Sequence, residues 1–136
     1  MDLRELLGFN FLQAGYTLLT ASDGAAAIAE AKLWNPAAIL LDLNMPGLNG
    51  FTVCERLRQE PATRAIPIIF LTADSADQSR AQALKLGATA YLTKPFSPRA
   101  VVMRVAEIIQ HSGWERRDSS GSPKPAVGWR DDAVAS

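Results

Sequence analysis

The stretch Ala38-Ile39-Leu40-Leu41-Asp42-Leu43-Asn44-Met45-Pro46-Gly47-Leu48-Asn49-Gly50 decides how the chain is read. An unbroken apolar run suits a strand covered on both faces, as in a parallel sheet. It reaches a single carboxylate, Asp42, and passes into a loop rich in Asn, Pro and Gly. Two more runs end in the same way: Ile66-Pro67-Ile68-Ile69-Phe70-Leu71 closes on Thr72, and Ala90-Tyr91-Leu92-Thr93 runs into Lys94-Pro95. Ligands of open parallel sheets bind beyond the C-terminal strand ends. A carboxylate, a hydroxyl and an ammonium are therefore expected to meet at one edge.

Around these runs the period changes from two to 3.6. Residues 2–14 read as a helix, with Leu3, Leu6, Leu7 and Phe11 on one face and Gly15 after its end. Residues 16–21 read as a strand. A helix follows to about Asn35, with Ser22 or Asp23 as cap and Pro36 as stop. Further helices are expected at about 51–60, 75–86 and 98–111, the last opened by Ser97-Pro98. Strands alternating with helices imply right-handed crossovers and an α/β, doubly wound parallel sheet of the flavodoxin-like kind. The domain is expected to span 1–111. From Ser112 the composition turns to Ser, Gly, Pro and charge without periodicity, which reads as a disordered tail over 112–136.

Composition narrows the function. The chain has 136 residues, the size of one domain, with 14 basic and 14 acidic side chains and 48% apolar residues. It shows no basic stripe suited to nucleic acid and no apolar run long enough to cross a membrane. Cys54 is the single cysteine and His111 the single histidine. Neither a disulfide nor a thiolate metal cluster can form within one chain, and a reducing, cytoplasmic setting is the expectation. Cys54 falls on an apolar helix face, where a small core residue is the natural reading.

The chemistry that fits the three strand ends is phosphoryl transfer to a carboxylate. Asp42 would be the nucleophile and become an aspartyl phosphate. Lys94 would neutralise a phosphoryl oxygen, and Thr72 would donate a hydrogen bond to another.

LLDLNMPGLNG, IIFLTA and YLTKPF, in this order and on these elements, resemble the response-regulator receiver domain of two-component systems. The resemblance covers about residues 2–111. It implies that Asp42 is phosphorylated by a histidine kinase or phosphotransfer protein, that Thr72 and Lys94 sense the phosphate, and that Tyr91 is a switch aromatic. It implies a cis Lys94-Pro95 peptide, tuning of phosphoryl lifetime by Asn44 and Asp74, and Mg²⁺ held by Asp42, the backbone carbonyl of Asn44 and an acidic pair. It places output contacts, and a possible homodimer, on the 75–111 face.

The chain departs from that pattern at its start. The family opens with an apolar strand ending in two acids, whereas this sequence begins at the helix that follows. With the first strand missing from a (βα)5 fold, the strands at 16–21 and 38–43 would stand roughly 9–10 Å apart, their facing backbone groups unpaired. Asp2 is a weak substitute for the acidic pair. Asp131-Asp132 lies in the tail behind no recognisable strand, and also reads as a poor stand-in. Three explanations compete: a true start upstream, a degenerate receiver that acts as a phosphorylation-independent interaction module, or a gap filled by the tail or by another chain. An aspartate-nucleophile phosphohydrolase is a remote alternative, because the position two residues after Asp42 is Asn44, which cannot exchange a proton as an acid/base.

Overall fold

The computed structural model describes residues 9–13, 15–21, 23–43, 47–95, 97–111 and 125–129. After a helical stretch at 9–13 (α1) come β1 (Thr17–Ala21), α2 (Gly24–Trp34), β2 (Ile39–Leu41), α3 (Gly50–Gln59) and β3 (Ile68–Thr72). The chain continues through α4 (Asp77–Lys85), β4 (Ala90–Thr93), α5 (Pro98–His111) and β5 (Pro125–Trp129). The expected helices and strands are present, with ends shifted by up to a few residues. Residues 2–8 of the first expected helix lie outside the described residues.

Local chemistry sets several boundaries. Asp23, not Ser22, caps α2: its carboxylate accepts from the Ala26 amide at 2.8 Å. Asn35 ends that helix in the left-handed region at φ 46°. Asn49 caps α3 by accepting from the Thr52 amide, and Ser97 accepts from the Ala100 amide ahead of Pro98. Asp74 accepts from the Ala76 amide, holding Ala76 extended, so α4 starts at Asp77 and not at 75.

The sheet has five strands in the order β1-β5-β2-β3-β4, every pairing parallel. Of the explanations open for the slot between β1 and β2, the structure has it filled from the tail, by residues 125–129. This corrects the expectation that the segment 112–136 has no regular structure. Leu19 stands opposite Val127 on one side, and Ile39 opposite Val127 on the other. The Val127 amide donates to the Ala38 carbonyl at 2.9 Å, and the Ala37 amide donates to the Pro125 carbonyl at 2.7 Å. Pro125 occupies the first strand position, where its missing donor matters least. Ala126 and Val127 are both fully buried, as a central parallel strand requires.

Helices cover both faces. Phe11 of α1 and Val101, Val105, Ile108 and Ile109 of α5 pack with Leu40 and Ile69. Ala27 and Ala31 of α2, Val53, Cys54 and Leu57 of α3, and Ala83 of α4 pack with Ile39, Leu41, Ile68, Phe70 and Val127. The continuous burial of β2 and β3 thus reflects two apolar layers, not one. No helix among the described residues is long and apolar enough to cross a membrane.

Candidate functional site

Parallel strands bring Asp42, Thr72 and Lys94 to one edge because each follows or ends a neighbouring strand. Asp42 comes directly after β2, Thr72 ends β3, and Lys94 follows β4. Asp42 is 6% exposed and Thr72 fully buried, so both belong to the floor of the edge and not to its rim. Lys94 reaches over from β4, with Nζ 3.9 Å from Asp42 Oδ2. That spacing is an ion pair beyond direct hydrogen-bond length. The Lys94 amide also donates to the Thr72 carbonyl at 2.9 Å, and the Lys94-Pro95 peptide is cis.

A second set of contacts ties the Thr72 end to β4. The Asp74 amide donates to Thr72 Oγ1 at 3.2 Å, which leaves the threonine hydroxyl proton unused by that bond. The Tyr91 phenol donates to the Asp74 carbonyl at 2.6 Å. Arg80 of α4 donates to the Tyr91 carbonyl at 2.9 Å, and its guanidinium lies 5.0 Å from the centre of the Tyr91 ring, within cation–π range. Tyr91 is 4% exposed, and burial, with the Asp74 carboxylate second, pushes its phenol above the ordinary value. The Asp74 carboxylate accepts from the Ser79 hydroxyl at 2.7 Å; this bond first, and the Ala76 amide second, hold its carboxyl below the usual range.

The loop after Asp42 is held by Gly50. A methyl group there would stand 2.5 Å from the Asp42 carbonyl oxygen and 2.9 Å from Leu43 Cα, so only glycine lets α3 start this close to the phosphoacceptor candidate. The Gly50 amide donates to the Leu43 carbonyl at 3.0 Å. Sequence reading passed over this role, as it did that of Arg80. The Asn-Gly pair after a polar strand end was the available signal for Gly50, and nothing in the sequence marked Arg80.

The edge therefore unites the expected Asp42, Thr72 and Lys94, with Tyr91 and Asp74 coupled beside them. Asn44 lies outside the described residues. Cys54 is buried on the inner side of α3, its thiol pushed up to about 11 chiefly by desolvation, in keeping with a core residue. His111 ends α5, with Nδ1 2.8 Å from the Glu107 carbonyl. Among the described residues no group of three His, Cys, Asp or Glu side chains converges as a metal site.

Comparison with known proteins bears on the same residues. The pattern of the response regulator receiver domain matches residues 1–106. The alkaline phosphatase synthesis transcriptional regulatory protein PhoP of Bacillus subtilis is 43% identical over 107 residues, covering 79% of this chain and 44% of PhoP. The chain spans about half the length of the curated relatives it matches. Among solved structures, the Francisella response regulator 1452 receiver domain is similar with a TM-score of 0.72 at 29% identity, covering 79% of this chain and 88% of that one. The receiver domain of sensor histidine kinase PA1611 from Pseudomonas aeruginosa, solved with magnesium in its active-site cleft, has a TM-score of 0.69 at 28% identity. The similarity covers 79% of this chain and 88% of that domain.

Proposed function

Since the chain belongs to the response regulator receiver domain family, we propose that it accepts a phosphoryl group on Asp42 from a phosphohistidine of a kinase or phosphotransfer protein. The observation that carries this reading is the meeting of a nearly buried carboxylate with Lys94 Nζ at 3.9 Å and the Thr72 hydroxyl at one sheet edge. In the transfer a carboxylate oxygen of Asp42 attacks phosphorus, an O–P bond forms, and the P–N bond to the donor imidazole breaks. The electron pair of that bond leaves with the imidazole. Lys94 offsets charge on the phosphoryl oxygens as a point cation. Thr72 Oγ1 turns its proton to a phosphoryl oxygen, and its bond from the Asp74 amide passes the change to Tyr91.

Magnesium accompanies such transfer in the family, where it offsets phosphoryl charge. The described residues alone do not supply a site for it, because no group of three His, Cys, Asp or Glu side chains converges among them. The alternative is an interaction module on the same fold that works without phosphorylation. In either case the output surface is proposed on α4, β4 and α5, where Leu84 and Met103 are exposed at 48% and 64%. The same face would serve a homodimer. A phosphohydrolase is disfavoured because Asn44 stands where the acid/base would be needed.

Incubation with a small acyl phosphate and Mg²⁺ tests the first reading. The expected result is one phosphoryl group per chain, lost in Asp42→Asn. Partner binding that is identical in the wild-type chain, treated or untreated, and in Asp42→Asn would instead support the second.

A further inference from the structure

Two adjacent residues of α4 hold the two partners of the bond between Tyr91 and Asp74. Ser79 donates its hydroxyl to Asp74 Oδ2 at 2.7 Å, and the Ala76 amide donates to Asp74 Oδ1 at 2.9 Å, so both carboxylate oxygens are engaged. Arg80 grips Tyr91 twice. Its Nη1 donates to the Tyr91 carbonyl at 2.9 Å, and its guanidinium carbon lies 5.0 Å from the ring centre. The same ring meets Phe70 of β3, with centroids 6.0 Å apart. A cation from α4 and an aromatic from β3 thus fix the ring whose phenol reaches the Asp74 carbonyl at 2.6 Å. Arg80 is otherwise exposed. An exposed arginine gives up side-chain freedom to be held in this way, and the hydrogen bond together with the cation–π contact offsets that cost.

We propose that Arg80 is a positioning residue of the phosphoacceptor site, holding Tyr91 so that its phenol stays bonded to the loop that follows Thr72. The inference rests on the phosphoacceptor reading of Asp42 and deepens it. The path is short. Arg80 fixes the ring, the phenol fixes the Asp74 carbonyl, and the Asp74 amide donates to Thr72 Oγ1 at 3.2 Å. That last bond uses a lone pair of the hydroxyl and leaves its proton for a phosphoryl oxygen. Without the guanidinium the ring loses one of the two groups that fix it. The phenol bond then breaks more often, and the Thr72 hydroxyl is presented for less of the time. Ser79, one position earlier on the same helix, holds the other partner, so α4 sets both ends of the bond. A planar guanidinium can donate to the carbonyl and lie over the ring at once, whereas an ammonium is a point charge without that fork.

Labelling of the full chain with a small acyl phosphate and Mg²⁺ tests the proposal in Arg80→Met, Arg80→Lys, Tyr91→Phe and the double variant Arg80→Met/Tyr91→Phe. Methionine keeps an unbranched stem and removes the charge. Arg80→Met is expected to slow labelling of Asp42 by a factor of about two to five, the rate equivalent of a cation–π contact at an exposed site. Arg80→Lys, which keeps a cation, recovers part of the loss. In Tyr91→Phe no phenol bond is left to hold, so adding Arg80→Met changes the rate no further. Wild-type labelling in Arg80→Met, or equal slowing with and without the phenol, overturns the proposal. Nuclear magnetic resonance of the tyrosine rings, with Tyr91 assigned through Tyr91→Phe, separates this claim from the phosphoacceptor reading. If the parent chain does not label at all, that reading falls. A shift of the Tyr91 ring signals toward those of free tyrosine in Arg80→Met, partly reversed in Arg80→Lys, then still supports the hold of Arg80 on Tyr91. Ring signals that do not move overturn the hold whatever the labelling rate.

Discussion

The phenol of Tyr91 donates a 2.6 Å hydrogen bond to the carbonyl of Asp74, the residue two positions beyond the site threonine. Through that bond, and the one from the Asp74 amide to Thr72 Oγ1, a strand aromatic and the Thr72 hydroxyl share one loop.

Tyr91→Phe keeps the ring and deletes the bond. A neutral hydrogen bond of this kind contributes about 0.5–1.5 kcal/mol. The variant is expected to unfold a few degrees below wild type while labelling of Asp42 continues. An unchanged midpoint in calorimetric melting would show that the bond stabilises nothing.

Val127→Pro removes the amide that donates to the Ala38 carbonyl, in the middle of the sheet and at a fully buried position. Orphaning that carbonyl costs about 1–3 kcal/mol, and the displaced side chain adds to it. The expected result is a large loss in urea-unfolding stability or a chain that no longer unfolds cooperatively. Wild-type stability in this variant would mean that β5 does not hold the slot.

The Cys54 thiol, raised from 9.0 to about 11 by burial, is expected to be inert in the native chain. An acid whose value rises on folding stabilises the native state below its unfolded value. That contribution is therefore complete below pH 9.0 and is lost as pH rises through about 11. At pH 8, iodoacetamide should alkylate the folded chain about a hundredfold more slowly than the unfolded chain, from thiolate fraction alone. Equal rates would place the thiol in solvent.

Much of this site is legible in the sequence because each key residue ends an apolar run. Asp42, Thr72 and Lys94 needed only the rule that parallel strands share a C-terminal edge. Helix limits were harder where a side chain competes with the backbone: Asp74 takes the Ala76 amide and so delays α4. Strand β5 was not legible. Pro125–Trp129 is short, shows no alternation because it is buried on both faces, and stands among Ser, Gly and Pro. What makes it a strand is a slot between β1 and β2, more than eighty residues away in the chain, and no local pattern reports that.

The central claim is that Asp42 carries the phosphoryl group. Borohydride reduction of the acyl-phosphate-treated chain converts an aspartyl phosphate to homoserine, which peptide mass mapping locates. The account predicts homoserine at position 42 and none in untreated protein. Homoserine at another aspartate, or none after treatment with Mg²⁺ present, would contradict it.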